Sequence, residues 1–359
     1  MIYYLPIEPL EERYTEQWYR WFPDQFKRQN LEFKVIDGET LTNVVETGTF
    51  LDVNSTLYYK SEQLKKIAEL FYKKEIKNGD VFFVADIEFW GIDSIKYLSV
   101  LNGIQTKLYG FAHAGSYTKE DYFEKCAPFA KYYETAWGEI FDQIFVGSEY
   151  HKQQMFKLRH IPLNKITVTG NPYDIKEARG SVPIHTKRNR VVLTNRPDYE
   201  KRPNLTLDVF TILKEKHPDW EFYVTTSRSK WGSGWIRDKA KFLEKEGIIT
   251  IEEGLTKEDY LSILQQAKVM TSNSIEENFG YCILEAMIFN TIPVLSNGYS
   301  HVELVPNKTL FNNLDEQIKI IEESVLNYQE VIDLSYSFYY SHKVLKFQQS
   351  LEKIVNLLY

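Results

Sequence analysis

The sequence predicts an α/β protein made of two doubly wound halves, each a parallel sheet wrapped by helices. Three observations carry this. Short apolar runs alternate with longer amphipathic segments along the chain. The alternation pauses at a polar, turn-rich stretch near the middle and then restarts. The length, 359 residues, is long for one hydrophobic core and comfortable for two. Strands separated by helices imply right-handed crossovers and hence parallel sheets.

The elements follow in order. Ile2 to Leu5 predicts a strand, Glu12 to Gln29 a helix, and Glu32 to Ile36 a second strand stopped by Asp37-Gly38. Ser61 to Lys74 has helical spacing, with Leu64, Ile67, Ala68 and Phe71 on one face. Val81 to Ala85 predicts a buried strand, Ile92 to Asn102 a helix and Thr106 to Ala112 a strand. Glu120 to Glu139 predicts one helix, Gln143 to Gly147 a strand, Ser148 the start of a helix, and Lys165 to Thr169 a strand. Asn171-Pro172-Tyr173-Asp174 is turn chemistry, and the polar residues 175–189, with Gly180 and Pro183, predict a linker. The pattern restarts with strands at Arg190 to Thr194, Trp220 to Thr225, Ile248 to Ile251, Val269 to Thr271 and Ile292 to Ser296. Helices are expected at Asn204 to Lys216, Lys257 to Ala267 and Gly280 to Phe289, and a final one at Phe338 to Leu358. There is no internal repeat and no low-complexity tract.

Composition bounds the function. Hydrophobic residues make up 43% and charged residues 26%, an ordinary globular balance rather than a disordered one. Aromatics reach 15%; they either fill the core or line sugar and base pockets. Two distant cysteines, Cys126 and Cys282, supply neither a disulfide framework nor a metal-ligand spacing, and fit a reducing cytoplasm. No basic region followed by an apolar run opens the chain, so no signal peptide is expected. No window approaches the roughly 18 apolar residues of a membrane span. The net charge of −7 argues against general coating of nucleic acid. Local basic patches at Lys187 to Arg190 and Arg228 to Lys245 are either solvated charges or phosphate contacts.

The segment with the most chemistry is Ser274 to Glu285. A strand is expected before it and a helix inside it. Helix N-termini offer unpaired backbone N–H groups to anions. Gly280 lets the backbone come close to a ligand. Glu277 lies just before the helix, where a carboxylate reaches sugar hydroxyls; the plainer role is a charge favoured by the helix dipole. Glu285 is flanked by Cys282, Ile283, Leu284, Ala286 and Met287, and a carboxylate in such surroundings needs a partner. Two vicinal ribose hydroxyls would supply one.

This segment resembles the Glu-x7-Glu motif of retaining glycosyltransferases of family 4 and their relatives, which have the GT-B fold. Ser274, Glu277, Phe279, Gly280, Glu285, Ala286 and Met287 match, and Pro293-Val294 follows at the family's interval. Asn290 stands where the family usually has Gly. Arg196 and Lys201 look like the family's Gly-Arg-x4-Lys phosphate clamp, about 80 residues upstream, with Asn195 in place of Gly. His113, within Gly110 to Gly115, is similar to a family histidine that faces the transferred sugar; a buried structural histidine is the alternative. Phe145 to Glu149 and Val168 to Pro172 resemble the family's Ser-led helix start and interdomain entry. The family's Gly-rich loop after the first strand is missing: Pro6 to Thr15 stands there, and Arg13 is either a phosphate contact or part of a helix start.

The resemblance implies two Rossmann-like domains facing a central cleft: an acceptor domain at 1–174, a linker at 175–189, a donor domain at 190–335, and a C-terminal helix at 336–359 crossing back to the first domain. It implies front-face transfer of a hexose-type sugar from a nucleotide-sugar, expected to be a UDP-sugar, with retention. Arg196 and Lys201 would stabilise the leaving diphosphate. Glu277, with Phe279 and Gly280, would hold the sugar, and Glu285 the ribose; Ser274 and Arg13 would complete the donor site. No Asp-x-Asp motif is present, so neither an obligatory metal nor another cofactor is expected.

The acceptor rests on a looser likeness. The run from Leu10 to Trp18, Asp86 to Gly91, and His113-Ala114-Gly115 look similar to bacteriophage enzymes that glycosylate modified DNA bases. The second half also looks similar to a glycosyltransferase acting on a modified tRNA base. A hydroxymethylated pyrimidine in DNA is then the expected acceptor, flipped from the stack, with Trp18, Trp21, Trp90 and Tyr117 as stacking surfaces. The acidic net charge weighs against this. The alternatives are a transferase acting on a cell-surface glycan, lipid or protein, and a non-catalytic protein that binds a nucleotide-sugar or nucleic acid.

Overall fold

A computed structural model describes residues 1–10, 14–42, 52–183, 185–226, 231, 233–339 and 349–359. They form two compact units: Met1–Pro172 with Gln349–Tyr359, and Tyr173–Gln348. Among the described residues no helix is long and apolar enough to cross a membrane.

The first unit runs β1 (Ile2–Leu5), α1 (Tyr14–Arg28), β2 (Phe33–Val35), α2 (Val53–Tyr72), β3 (Val81–Val84), α3 (Ser94–Leu101), β4 (Lys107–Ala112), α4 (Ala127–Ile140), β5 (Gln143–Val146), α5 (Glu149–Arg159) and β6 (Ile166–Val168). Its sheet has the order β2-β1-β3-β4-β5-β6. All its pairings are parallel. β1 and β3 are buried at every residue, as strands covered on both faces must be. Tyr4, Trp18, Phe22, Phe26, Phe83 and Phe111 pack as one aromatic group between α1 and the sheet. Much of the aromatic excess is therefore core. The C-terminal helix Ser350–Leu357 packs on α1 and is tied to the end of β6, where the Ser350 hydroxyl donates to the Thr169 carbonyl at 2.8 Å.

The second unit runs α6 (Ile175–Gly180), β7 (Arg188–Leu193), α7 (Pro203–Lys216), β8 (Glu221–Thr226), α8 (Gly234–Lys245), β9 (Thr250–Glu253), α9 (Lys257–Gln266), β10 (Ala267–Ser272), α10 (Tyr281–Ile288), β11 (Ile292–Ser296), α11 (His301–Leu304), β12 (Leu310–Phe311), α12 (Leu314–Leu326) and α13 (Tyr328–Tyr339). Its sheet has the order β12-β11-β10-β7-β8-β9. These pairings are parallel too. In such sheets the order reverses at one point, and ligands bind in the crevice outside the carboxyl ends of the two strands that meet there. The reversal falls between β1 and β3 in the first unit and between β7 and β10 in the second.

Several elements differ from expectation, each for a local reason. α2 starts at Val53 rather than Ser61, because the Asp52 carboxylate caps it by accepting from the Ser55 N–H at 2.7 Å. The helix expected from Glu120 to Glu139 divides into a 3₁₀ turn, Tyr122–Cys126, and α4, with a proline in the first turn of α4. Within 175–189 lies α6, capped by Asp174, whose carboxylate accepts from Lys176 and Glu177. α8 was not expected; Ile236, Ala240 and Leu243 give it a buried stripe beneath its basic face. The single helix expected over Phe338 to Leu358 is represented by the end of α13 and by Ser350–Leu357, with 340–348 outside the described residues.

The first unit also holds a buried charged group. The Glu134 carboxylate accepts from the Ser116 backbone at 2.5 Å, from the Ser116 hydroxyl at 2.8 Å and from the Arg159 guanidinium. Removing one partner of a buried pair leaves an uncompensated charge. Glu134→Ala is expected to destabilise the first unit by about 3–5 kcal/mol. Urea unfolding followed by tryptophan fluorescence and circular dichroism, compared with the parent, will measure it.

Candidate active site

The site expected from the sequence gathers at the reversal point of the second unit. The β7 end supplies Asn195, Arg196 and Lys201, and the β10 end supplies Ser274 and Glu277. Lys201 and Glu277 form an ion pair at 2.9 Å, with side chains 12% and 17% exposed. The Lys201 ammonium also donates to the Ser274 hydroxyl at 3.3 Å and the Glu276 carbonyl at 3.2 Å. Burial alone would raise the Glu277 carboxyl, but Lys201, with His301 and Arg196, outweighs burial and holds it below the usual carboxylate range. Burial alone would lower Lys201, yet Glu277 and Glu200 hold it above the usual lysine range. Both groups are therefore charged at neutral pH.

Arg196 lies beside this pair with partners of its own, Asp198 at 3.1 Å and Glu200 at 3.3 Å. Asn195, at the family's Gly position, is a strut. Its amide donates to the Ser272 hydroxyl at 2.6 Å, and its carbonyl accepts from the Cys282 thiol at 3.0 Å. That thiol is pushed up to about 12, first by burial and then by Glu277 and Glu285. The Ile275 N–H donates to the Glu200 carbonyl at 2.9 Å and so ties the two loops together.

Gly280 opens α10 with φ at +86°, where a side chain is strained. A Cβ there would also come within 2.6 Å of Ile283 Cδ1. Phe279 is buried, and its carbonyl accepts from the Ser300 hydroxyl at 3.3 Å. One turn further on, Glu285 is 3% exposed. Its carboxylate accepts from the Tyr173 hydroxyl at 3.1 Å, the Tyr260 hydroxyl at 2.8 Å and the Lys257 ammonium. These three donors were not foreseen; the only hint was that a carboxylate in an apolar helix needs partners.

The first unit keeps fewer expectations. Arg13 lies outside the described residues. His113 has both ring nitrogens engaged: Nε2 with the Ala85 carbonyl at 2.8 Å, and Nδ1 with the Tyr14 hydroxyl at 3.1 Å. A carbonyl only accepts, so Nε2 carries the proton. Burial lowers the ring's pKa against the pull of Asp86, so it is neutral at pH 7. Trp18, Trp21 and Tyr117 are not open stacking surfaces. They are 1%, 6% and 8% exposed, and the Tyr117 hydroxyl hydrogen-bonds His151 at 2.7 Å. Helical spacing placed the two tryptophans on the inner face of α1. Trp90 is partly exposed and stacks on Tyr133, centroids 4.5 Å apart. The Gly-rich loop's place is filled by Glu8, fully buried and accepting from Ser55 at 2.6 Å and Thr56 at 3.0 Å.

Of the basic patches, Lys187, Arg190 and Lys239 are engaged within the unit, while Arg188, Arg237 and Lys245 are exposed. The Lys187 ammonium donates to the Ala267 carbonyl at 2.6 Å and the Thr291 hydroxyl at 2.8 Å, and burial pushes its pKa down to about 7. Arg190 is buried against Glu221 and Tyr223. Lys239 pairs with Asp208, and residues 228–230 lie outside the described residues.

One comparison with known proteins falls within this unit. Residues 174–317 match the family model described as "Glycosyl transferases group 1". An uncharacterised glycosyltransferase of Bacillus subtilis (strain 168), YqgM, is 27% identical over 158 residues, covering 44% of this chain and 43% of that protein. Among solved structures, TarM is similar at a TM-score of 0.59 and 20% identity, covering 85% of this chain and 58% of that one. An E. coli trehalose-6-phosphate protein bound with UDP-2-fluoro glucose is similar at a TM-score of 0.67 and 12% identity, covering 99% and 98%. The chain thus spans less than half of the curated relative and under two thirds of TarM. With its two parallel six-stranded sheets, the chain has the GT-B fold.

The Gly280 geometry gives a direct test. Gly280→Ala is expected to destabilise the second unit by about 1–2 kcal/mol from the positive φ alone. Thermal unfolding checks it.

Proposed function

We propose that this chain is a retaining glycosyltransferase that moves a hexose-type sugar from a nucleotide-sugar, a UDP-sugar in the first instance, to an acceptor hydroxyl in the cytoplasm. The observation that carries this reading is the Lys201–Glu277 pair at the β7/β10 reversal, beside Arg196 and the start of α10. The family-model match over the same residues supports it, as does the nucleotide-sugar analogue bound to the E. coli neighbour.

The chemistry follows from charge. When the glycosyl–phosphate C–O bond breaks, negative charge develops on the diphosphate, and Arg196 and Lys201 neutralise it where it develops. The acceptor O–H proton passes to the departing phosphate oxygen as the new C–O bond forms on the same face of the sugar. Glu277, held ionised, accepts from hydroxyls of the sugar. Glu285 accepts from the ribose. A carboxylate has about four acceptor positions, and three are filled by protein donors. One of the two vicinal ribose hydroxyls takes the fourth and the other displaces Lys257, whose side chain is 41% exposed.

For the acceptor, one observation favours a modified base in DNA. The three segments similar to phage DNA-base glycosyltransferases meet around His113: Tyr14 hydrogen-bonds it, Trp18 packs on it with centroids 5.0 Å apart, and its Nε2 is held just before Asp86, itself paired with Lys60 at 2.8 Å. The acceptor hydroxyl is then that of a hydroxymethylated pyrimidine, with Trp90 the remaining aromatic for stacking.

Glu277→Ala is expected to cut turnover by about 10²–10³-fold in the protein that remains folded, and to lower stability as well by leaving Lys201 without its carboxylate, which thermal unfolding measures separately. Release of nucleoside diphosphate from a panel of sugar nucleotides reads it, and full activity in the variant would move the sugar site elsewhere. Mass spectrometry of hydroxymethylated DNA, plain DNA and tRNA, each incubated with that panel, tests the acceptor. Sugar added only to hydroxymethylated DNA, with affinity falling steeply as salt rises, is the expected result. Transfer only to a glycan, lipid or protein would replace the DNA reading, and an absence of both transfer and hydrolysis would leave a binding protein.

A further inference from the structure

The clamp loop carries as many carboxylates as cations. In Arg196-Pro197-Asp198-Tyr199-Glu200-Lys201, the guanidinium is held by Asp198 and Glu200, while the ammonium is held by Glu277 from the loop after β10. Two cations, Arg196 and Lys201, thus face three carboxylates, Asp198, Glu200 and Glu277, a formal balance of −1. The site is poorly screened, since the Glu200 side chain is only 13% exposed. A diphosphate brings about two more negative charges into this low-dielectric place. Its binding is therefore favoured when a carboxylate leaves or loses its charge.

Glu200 is the carboxylate poised to lose it. Its backbone is fixed by the Ile275 N–H on its carbonyl at 2.9 Å, and its largely buried side chain accepts from the Arg196 guanidinium at 3.3 Å. The charged groups facing it are Arg196, Asp198 and Lys201 on its own loop, with Glu277 reaching Lys201 from the β10 side. Burial, with Asp198, already pushes its carboxyl up against the pull of Lys201 and Arg196. A diphosphate that draws Arg196 to itself removes one of the two cations opposing that rise.

We propose that Glu200 is a positioning residue that holds Arg196 in the ligand-free clamp and takes up one proton from solvent when a nucleoside diphosphate engages Arg196. This rests on the nucleotide-sugar reading of the same site. No covalent bond changes: the proton moves from water to a Glu200 oxygen, and the neutral carboxyl then donates a hydrogen bond to a phosphate oxygen. The sign follows from linkage. The bound state holds more protons than the free state, so nucleotide affinity falls as pH rises between the carboxyl's free and bound pKa values.

Isothermal titration of UDP, GDP and ADP into the full chain, in two buffers of different ionisation enthalpy, measures the proton count. The expected result is uptake of about half to one proton per nucleotide in the window where Glu200 titrates. That uptake should be reduced to the nucleotide's own contribution in Glu200→Gln, which keeps the shape without the titrating group. Glu200→Gln should also bind two- to tenfold more tightly above that window, with a flatter pH profile. Equal proton counts in the parent and the variant, or weaker binding by Glu200→Gln at every pH, would overturn the inference while leaving the donor site in place. Failure of all three nucleotides to bind would overturn the donor reading and the inference with it.

Discussion

The Lys201–Glu277 ion pair is the interaction on which the second unit's site depends. Each partner lies on a loop at the carboxyl end of a central strand, and each would be a buried, unpaired charge without the other. Because β7 and β10 are neighbours with helices on both flanks, their loops diverge and leave a crevice between them. The pair spans that crevice. Asn195 reinforces it from one side and the Ile275–Glu200 backbone bond from the other. Ligand chemistry is thus built on the polar groups that hold the two strand ends in register, and a substitution meant to probe binding also probes that register.

The first unit uses its reversal point differently. Glu8 with Ser55 and Thr56, Asp86 with Lys60, and His113 with Ala85 and Tyr14 form closed hydrogen-bonded sets at the strand ends. A Gly-rich turn presents backbone N–H groups to phosphate; a buried carboxylate such as Glu8 repels it. Among the described residues, the first unit's strand ends thus hold a buried carboxylate where a Gly-rich turn would offer N–H groups, whereas the second unit's hold Arg196 and Lys201.

What could be read from the sequence follows the range of the forces involved. Strands of Val, Ile and Phe buried on both faces leave an unmistakable run, and β3 and β7 were expected where they lie. Glu277, Gly280 and Glu285 were legible because one helix start fixes all three by spacing. Caps were harder: Asp52 lengthens α2 by eight residues through a single hydrogen bond. α8 was obscured because its lysines and arginines outnumber the three apolar residues that bury it. The misplaced aromatics have a common cause. Trp18 and Trp21 occupy the inner face of α1 at helical spacing, a pattern that a stacking surface and a core stripe share. Lys187 was taken for a surface cation because its acceptors, Ala267 and Thr291, lie 80 and 104 residues away.

Glu285 shows why such long-range partners matter for function. α10 buries Ile283, Leu284, Glu285, Ala286, Met287 and Ile288 in succession, so its carboxylate has no route to bulk water along the helix. The donors that stabilise it come from the chain before α6 and from α9, elements that strand-end arguments never bring together. Burial and Glu285 push the Tyr173 and Tyr260 hydroxyls well up, so both remain protonated donors. The Lys201–Glu277 half of the site is thus set by loops at strand ends, where ion pairs dominate. The Glu285 half is set by helix packing, where the side chain is already held by three protein donors. On the proposed reading, a nucleotide that bridges the two halves meets charge exchange at one end and a packed hydrogen-bonded carboxylate at the other, so discrimination of ribose hydroxyls would fall to Glu285 and the response to pH to the clamp.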